Sequence, residues 1–423
     1  MVTPVMQDAS GLARNTTVAT ISAGCAKRPT GVVFSIWAMR SGERMLSVRN
    51  RIDRDTVYCA PRFVYESRLM DTEYLMIKRK TPVKRATRNN TKRIDVHSHV
   101  VPREMLDALK ANPKRFGMRY IDDDGANRRL AKDGGGGQPV FDEFFDAAAK
   151  VKGMDRKGLD VSMISPAPIA YFYWLDADAG LEASRIVNDG IANMAAAYPE
   201  RLMGMGTLPM QNTDAAVAEL ERIVKQHGFR AVELGTSVGN EQVADARFRP
   251  VLRRAQELDV FIFAHPYSNS AICNLDDYYL SNLIGNPLQT TLMVSHLMFS
   301  GVLDELKKLR ICLAHGGGYV PYQIGRFNHG HKVRKETQAL TQTKPNALLR
   351  RFYYDALTHD PRSLQYLIDL VGADRVVLGT DAPFDMGEEH PVQMLEKVKR
   401  LTAKELDQVL GKTALRLMGR RAI

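Results

Sequence analysis

The sequence has little of what marks several other classes of protein. Only 4 of its 423 residues are cysteine, and no two of them form a CxxC pair. This scarcity argues against a disulfide framework and favours a reducing compartment. No uninterrupted apolar run reaches about 18 residues, the length that a membrane-spanning helix needs. With 44% hydrophobic and 25% charged residues, the composition is that of a globular chain, and we expect it in the cytoplasm with no membrane partner.

Acidic residues are scarce in one part of the chain only. Residues 1–93 hold 18 Lys and Arg but 7 Asp and Glu, whereas residues 94–423 hold 41 of each sign. The net charge of +11 therefore belongs to the first segment, and the neutral remainder predicts no nucleic-acid partner. Residues 1–93 also lack clear periodicity. We interpret them as a poorly structured basic N-terminal extension, either a leader or an upstream start.

From residue 94 onward, short apolar runs alternate with longer amphipathic stretches. Eight of these runs are predicted to be strands: Ile94–Val100, Val161–Pro166, Met203–Leu208, Ala231–Gly235, Val260–His265, Ile311–His315, Phe352–Leu357 and Val376–Thr380. Patterns such as Ala215–His227 and Arg247–Leu258 predict helices between them. Strands separated by crossover helices pair in parallel, so residues 94–423 are predicted to form an α/β fold, a (β/α)8 TIM barrel with loop insertions. A doubly wound open sheet is the alternative, but no GxGxxG follows the first strand.

Two long insertions follow the first and fifth predicted strands. Lys110–Val140 contains the glycine run Gly134–Gly137 and is predicted to be a flexible loop. Long loops at the catalytic face of a barrel often act as lids. Tyr267–Pro287 carries Tyr278, Tyr279 and Asn282 and could form a wall of a pocket.

Candidate metal ligands stand where the predicted strands end, which is where a barrel places its active site. His97 and His99 end the first strand two residues apart, so both side chains point to one side of an extended chain. His265 ends the fifth strand, His315 ends the sixth before three glycines, and Asp381 follows the eighth. Each position is a weak signal by itself. Together, imidazoles and a carboxylate suit Zn²⁺ or a similar divalent ion with one position left open.

The segments around these residues resemble the amidohydrolase superfamily, and within it the aminocarboxymuconate-semialdehyde decarboxylases and related metal-dependent decarboxylases. The matching stretches are Ile94–His99, Gly206–Met210, Ala264–Pro266, Ala314–Gly318, Gly325–Gly330, Asp355–Asp360 and Gly379–Phe384. The resemblance implies that His97, His99, His265 and Asp381 hold one divalent metal ion, with zinc expected first and manganese as the alternative. It also implies that His315 is the catalytic acid/base histidine.

The resemblance further implies how a substrate is held. Arg326 matches an arginine that reaches the neighbouring subunit's active site and binds a substrate carboxylate, which implies a homodimer. Lys132 belongs to a Lys-Asp-Gly sequence of the family and is a candidate substrate-binding residue. The family's second substrate-binding arginine, expected shortly after that sequence, is missing, and Asp142 follows instead. Arg128 or Arg129 could substitute for it.

The implied function is the non-oxidative decarboxylation of an unsaturated or aromatic carboxylic acid, such as aminocarboxymuconate semialdehyde. The residues alone leave open a metal-dependent hydrolase of an amide, ester or lactone, because the same centre serves both reactions. A catalytically silent barrel would be expected to lack at least one ligand, and every ligand position is intact in this sequence.

Several further residues have two interpretations. Tyr171–Trp174, after the second strand, could line an aromatic pocket or pack beneath a loop. Glu233 could support a ligand histidine or form a salt bridge inside the barrel. His359 could line the pocket or cap a loop. His329 and His331 are expected to face solvent.

Overall fold

The computed structural model describes residues 34–40, 43–50, 91–123, 125, 127–132, 137–267 and 274–419. The chain divides into two units, Met1–Pro82 and Val83–Ile423. In the first unit, the backbones of Phe34–Arg40 and Glu43–Asn50 pair as an antiparallel hairpin, which the sequence analysis did not predict. The rest of the predicted N-terminal extension up to residue 90 lies outside the described residues, so its predicted boundary and lack of structure stay predictions.

Eight parallel strands form the centre of the second unit. They are β1 Ile94–Val100, β2 Val161–Pro166, β3 Leu202–Gly204, β4 Ala231–Gly235, β5 Phe261–His265, β6 Ile311–Leu313, β7 Phe352–Asp355 and β8 Val376–Val377. One hydrogen-bonded sheet runs β8-β7-β6-β5-β4 and another β1-β2-β3. Gly206 pairs with Val232 at one seam between them, and Ser98 pairs with Ala382 at the other. The ring is therefore closed, and the predicted barrel is confirmed.

The helices lie between the strands in sequence. The eight longest are α1 Arg103–Ala111, α2 Ala147–Lys157, α3 Ala177–Ala197, α4 Thr213–His227, α5 Arg249–Glu257, α6 Asn286–Phe299, α7 Val320–Val333 and α8 Pro361–Val371. Shorter helices are Pro113–Phe116, Asp142–Phe145, Val302–Glu305, Pro345–Leu348, Pro391–Glu396, Ala403–Asp407 and Thr413–Met418. The two helices predicted by name, α4 and α5, are confirmed to within two residues at each end. Among the described residues, no helix combines the length and apolar character needed to span a bilayer.

Four strands end earlier than predicted. The observed last residues are Gly204 in β3, Leu313 in β6, Asp355 in β7 and Val377 in β8. After β6 the reason lies in the backbone, because His315 takes a positive φ angle of 54°, and Asp381, four residues beyond the end of β8, has one of 57°. A residue in this left-handed region cannot continue a strand. Both side chains therefore project from turns just beyond the sheet.

The first insertion is ordered over most of its length. Met118–Asp122, Arg128–Lys132 and Gln138–Pro139 form a three-stranded antiparallel sheet. The prediction of a flexible loop is wrong for these strands, because Met118 and Leu130 bury apolar side chains and tie the sheet to the core. Most of the glycine run (residues 134–136) lies outside the described residues. So do residues 268–273 of the second insertion.

Apolar side chains fill the lower part of the barrel interior. Ile94 and Val96 of β1 pack there against Phe261 and Phe263 of β5, all fully buried. Leu417, from the last short helix, joins the same cluster. A second, larger cluster fills the space between the strands and the surrounding helices. The barrel is thus a packed core below and leaves its C-terminal end for other side chains.

An irregularity in β1 brings polar side chains to that end. The pairing of β1 with β2 shifts register between Asp95 and Ser98. Strict alternation would put Val96 and His97 on opposite faces of the strand. Val96 nevertheless packs in the barrel interior, and the His97 ring centroid lies 4.9 Å from that of Phe263 in the same interior. The shift therefore lets consecutive residues face the barrel axis.

Candidate metal centre and active site

The four predicted ligands and His315 converge at the C-terminal end of the barrel. The Nε2 atoms of His97 and His99 are 3.0 Å apart, and Asp381 Oδ1 lies 3.2 Å and 3.1 Å from them respectively. One donor atom from each of His97, His265, His315 and Asp381 lies within 4.8 Å of the other three. The four predicted ligands are buried and His315 is partly buried. The structure thus brings all five predicted residues together.

The Nδ1 atoms of the three predicted ligand imidazoles each contact an acceptor oxygen. The contacts are His97 Nδ1 to Asp355 Oδ2 at 2.7 Å, His99 Nδ1 to Pro166 O at 3.2 Å, and His265 Nδ1 to Pro266 O at 2.8 Å. Carbonyl and carboxylate oxygens accept hydrogen bonds, so each Nδ1 carries a proton, and the neutral form of each imidazole then has its lone pair on Nε2. Neutral imidazoles oriented in this way are typical metal ligands.

Among the four predicted ligands, two buried atoms have no hydrogen-bond partner in the described part of the chain: His265 Nε2 and Asp381 Oδ1. Asp381 Oδ1 lies near two imidazoles without meeting them at hydrogen-bonding angles. A buried polar atom without a partner costs about 1–3 kcal/mol. A divalent ion would supply the missing partner to both atoms, and the donor set of nitrogen and carboxylate oxygen suits such an ion. The residues present therefore fit the expected metal.

The turn of His315 is held in place by glycine. Its positive φ is uncommon for a residue with a side chain, and such strain occurs most often at functional sites. The next three residues, Gly316, Gly317 and Gly318, have φ angles of 63°, 81° and 63°. A Cβ on Gly317 would lie 2.6 Å from the ring of Tyr354, so a larger residue does not fit. The three glycines therefore allow the backbone to turn tightly beside His315.

Burial and neighbouring charges set the protonation of the cluster. Burial lowers the pKa of His265 well below its usual value, and His99 and His97 lower it further. Burial raises the pKa of Asp381, but His97, His315 and His99 together outweigh this effect, and the pKa lies well below its usual value. Burial lowers the pKa of His97, yet Asp381 and Asp355 raise it well above its usual value. His265 and Asp381 are therefore in their metal-binding forms, whereas His97 must first release a proton.

A cavity of about 590 Å³ opens beside this cluster. Its wall includes His315 and Asp381, together with Asn282, Leu283, Tyr319, Tyr322, His359, Arg362 and Tyr366. The volume is that of a site for a small molecule. Among the described residues that line it, Asp381 is the one acid, and the guanidinium of Arg362 pairs with Asp360 at 2.9 Å.

The predicted substrate-binding cations do not line this cavity in the described part of the chain. Arg326 is exposed on α7. Lys132 Nζ lies 3.3 Å from the ring centroid of Trp174, a cation–π contact. Arg128 lies 2.8 Å from Asp142, so the substitute considered for the missing arginine pairs with the acid that follows the loop. The substrate-binding roles of Arg326 and Lys132 stay predictions.

The aromatic run Tyr171–Trp174 packs beneath its loop, and it does not line the cavity. Its first three residues are buried, and the rings of Tyr171 and Tyr173 stack with centroids 5.3 Å apart. The Tyr171 hydroxyl donates to Glu233, and Glu233 Oε1 also lies 3.8 Å from His99 Nδ1. Glu233 therefore approaches a predicted ligand, which agrees with its interpretation as a support of a ligand histidine. No lysine or arginine pairs with it among the described residues, so the salt-bridge interpretation is not supported.

The other histidines differ in their surroundings. His359 is exposed, lines the cavity and has a positive φ of 55°, so its pocket interpretation is the one that the structure favours. His329 is exposed, as predicted. The prediction for His331 is wrong: it is buried, with its ring centroid 6.4 Å from that of Phe299. It stands seven residues after Ile324 and so shares the buried face of α7.

Asp355, which had no predicted role, lies between two site residues. Asp355 is fully buried. Its carboxylate accepts hydrogen bonds from His97 Nδ1 at 2.7 Å and from the backbone N–H groups of His315 at 3.0 Å, Gly316 at 2.7 Å and Leu357 at 3.2 Å. The available signal was its position at the carboxyl end of β7.

A closed parallel barrel with three imidazoles, a carboxylate and a further histidine at its C-terminal end defines a class of metal-dependent enzymes. The amidohydrolase family model matches residues 94–420 of this chain. The chain therefore belongs to the amidohydrolase family, and the predicted resemblance is confirmed.

Similar proteins narrow the class further. A 2-amino-3-carboxymuconate-6-semialdehyde decarboxylase of Dictyostelium discoideum is 30% identical over 329 residues, which cover 77% of this chain and 91% of that protein. A gamma-resorcylate decarboxylase of a Polaromonas species is 30% identical over 250 residues, 56% of this chain and 76% of that protein. The crystal structure of a Polaromonas dihydroxybenzoic acid decarboxylase with bound manganese and the inhibitor 2-nitroresorcinol shares the fold, with a TM-score of 0.62 at 23% identity over 78% of this chain and 97% of that one. These relatives support the decarboxylase prediction over the hydrolase alternative.

Proposed function

We propose that this chain is a metal-dependent, non-oxidative decarboxylase of a small unsaturated or aromatic carboxylic acid such as aminocarboxymuconate semialdehyde. The observation that carries the proposal is the convergence of three imidazole Nε2 atoms and Asp381 beside His315 at the mouth of a cavity. The decarboxylases among its relatives support this reaction class. The cavity of about 590 Å³ beside these residues supports a small-molecule substrate.

His97, His99, His265 and Asp381 are proposed to hold one divalent ion. When bound, the ion supplies Lewis-acid polarisation of a substrate oxygen. Zinc is the first candidate because three nitrogens and one carboxylate suit it. Manganese is the alternative, and a Polaromonas decarboxylase of the same fold contains it.

His315 is proposed to move the proton in the reaction. Its side chain lines the cavity, and its Nε2 lies 3.5 Å from Asp381 Oδ2. Non-oxidative decarboxylation requires that a proton be added to the carbon that bears the carboxylate, with a π-electron pair forming the new C–H bond. The C–C bond to the carboxylate then breaks, CO₂ leaves, and the electron pair of that bond restores the conjugated system. An imidazole suits this role because its usual pKa lies near neutrality.

The remaining parts of the proposal concern partners and location. Exposure of Arg326 on α7 leaves it available to a second copy of the chain, so we propose a homodimer in which it reaches the neighbouring active site. His359, exposed in the cavity wall, is available to contact the substrate. A cytoplasmic location is proposed from the composition.

The test is CO₂ release by the purified full-length protein with muconate semialdehydes, hydroxybenzoates and naphthoates, with metal content measured on the same sample. Release that is lost in His315→Ala and in Asp381→Ala, and retained in His390→Ala, would support the proposal. His390 is a suitable control because it is exposed and does not line the cavity. A protein with its metal bound and no CO₂ from any of these acids would contradict it, and hydrolysis of amides and lactones would be measured next.

A further inference from the structure

We propose that Asp355 is a positioning residue that joins the predicted ligand His97 to the turn of His315, so that its carboxylate supports metal binding beyond its support of the fold. The inference rests on the proposed metal site. Oδ2 accepts from His97 Nδ1 and from the backbone N–H of His315. Oδ1 accepts from the backbone N–H groups of Gly316 and Leu357. One buried carboxylate therefore orients a ligand imidazole and the backbone of the proposed acid/base residue together.

The chemistry of these four partners requires a carboxylate at position 355. All four are N–H donors, and an ionised carboxylate can accept from all of them. An asparagine offers one oxygen and one NH₂ group, so in either orientation its NH₂ faces N–H groups. With NH₂ toward His97, the imidazole would have to accept at Nδ1 and carry its proton on Nε2, which removes the lone pair that a metal needs. With NH₂ toward Gly316, the turn of His315 loses its support.

Asp95 provides a matched contrast within the same barrel. It is equally buried and also contacts residue 97, but through the backbone: Asp95 Oδ1 accepts from the N–H groups of His97 and Thr380, each at 3.1 Å. Oδ2 faces two hydroxyls, Ser162 Oγ at 3.2 Å and Thr380 Oγ1 at 2.8 Å. A hydroxyl can rotate to accept as well as donate. An asparagine can therefore replace Asp95 with its hydrogen bonds preserved, whereas it cannot replace Asp355.

The experiment compares Asp355→Asn with Asp95→Asn in the full-length protein. Zinc affinity is measured by competition with a chromogenic chelator, and the free energy of unfolding of each metal-free protein is measured in urea. We expect Asp355→Asn to weaken zinc binding by about 10–100-fold, the usual effect of losing a hydrogen-bond partner of a ligand. Asp95→Asn should change zinc affinity by less than about threefold, because its hydrogen bonds are retained.

Equal zinc affinity in the two variants would overturn the inference and leave Asp355 as a structural residue only. If Asp355→Asn does not fold, Asp355→Glu serves instead, because it keeps the charge and displaces both oxygens by one methylene. Zinc binding at least about tenfold weaker than in the wild type is expected, and wild-type affinity would overturn the inference. Neither measurement uses a substrate, so failure of the proposed decarboxylase activity is distinguished from failure of this inference.

Discussion

The two ends of the barrel interior differ in almost every physical respect, although the same strands build both. In β1, Ile94 and Val96 lie in the apolar lower part, and His97 follows at once. In β5, Phe263 is followed two residues later by His265, a distance of about 7 Å along a strand. The lower end is filled by side chains. The upper end contains buried polar atoms without hydrogen-bond partners among the described residues.

The comparison shows that the residues that stabilise the fold and the residues suited to bind a metal lie one layer of side chains apart. Burial of an aromatic side chain below contributes to the free energy of folding directly. Burial of unpartnered imidazole and carboxylate atoms above costs free energy unless a cation binds them. Removal of a side chain should therefore affect the fold at one end and metal binding at the other.

The largest effect is expected at the upper end. His265→Ala removes one proposed ligand and should lower the rate of CO₂ release by more than about 10³-fold, because the ion contributes several kcal/mol to the transition state. The bound metal, measured in the same sample, should fall as well. The circular dichroism spectrum should be retained, since the lower interior is untouched. Full activity with reduced metal content would contradict the expectation that the upper end acts through a bound metal.

At the lower end the effect should fall on the fold. Phe261→Ala should reduce the free energy of unfolding by about 3–5 kcal/mol, the usual cost of removing a buried aromatic side chain. Urea unfolding of the metal-free protein measures this change. Zinc affinity of the folded variant should stay at the wild-type value, because Phe261 lies four residues before His265 on β5. A parallel loss of zinc affinity would show that the two ends act as one unit.

Much of this contrast was predictable because it is local in sequence. Apolar runs that end in His97, His265 and His315 are visible without a structure, and the barrel follows from eight such runs. The predicted C-terminal clustering of the ligands is confirmed by the donor distances. Their spacing along the chain also matched the pattern of the family. The family model that matches residues 94–420 confirms this resemblance.

The remainder depended on contacts between residues that are distant in the sequence. Asp355 is 258 residues from His97, and no local pattern pairs them. The register shift in β1 arises from its pairing with β2. The sheet within the first insertion was missed for a related reason, since Met118 and Leu130 pack against the core. The burial of His331 could have been predicted, because it stands seven residues after Ile324 on the same helix.

A buried lysine adds charge to the comparison of the two ends of the barrel. Lys150 of α2 is buried, and its Nζ donates to the carbonyl oxygens of His99 at 2.8 Å and Ala382 at 3.1 Å, across the seam between β1 and the residues after β8. Burial lowers the pKa of Lys150 to about 7, although Asp95 acts in the opposite direction. The upper end of the barrel therefore holds a buried base.

The smallest effect is expected from this lysine, and it depends on pH. An unfolded lysine keeps its proton up to a pKa of about 10.4, whereas folded Lys150 releases it near pH 7. Between these values the unfolded chain binds more protons, so the stability contribution of Lys150 rises with pH by up to about 1.4 kcal/mol per pH unit. The free energy of unfolding of the metal-free wild type, minus that of Lys150→Met, should therefore increase between pH 7.5 and about pH 9.5. Titrating groups that do not interact with Lys150 cancel in this difference. If this difference in unfolding free energy did not depend on pH, the two carbonyls and Asp95 would be keeping the ammonium protonated. The upper end of the barrel would then tolerate a buried charge as well as unpartnered polar atoms.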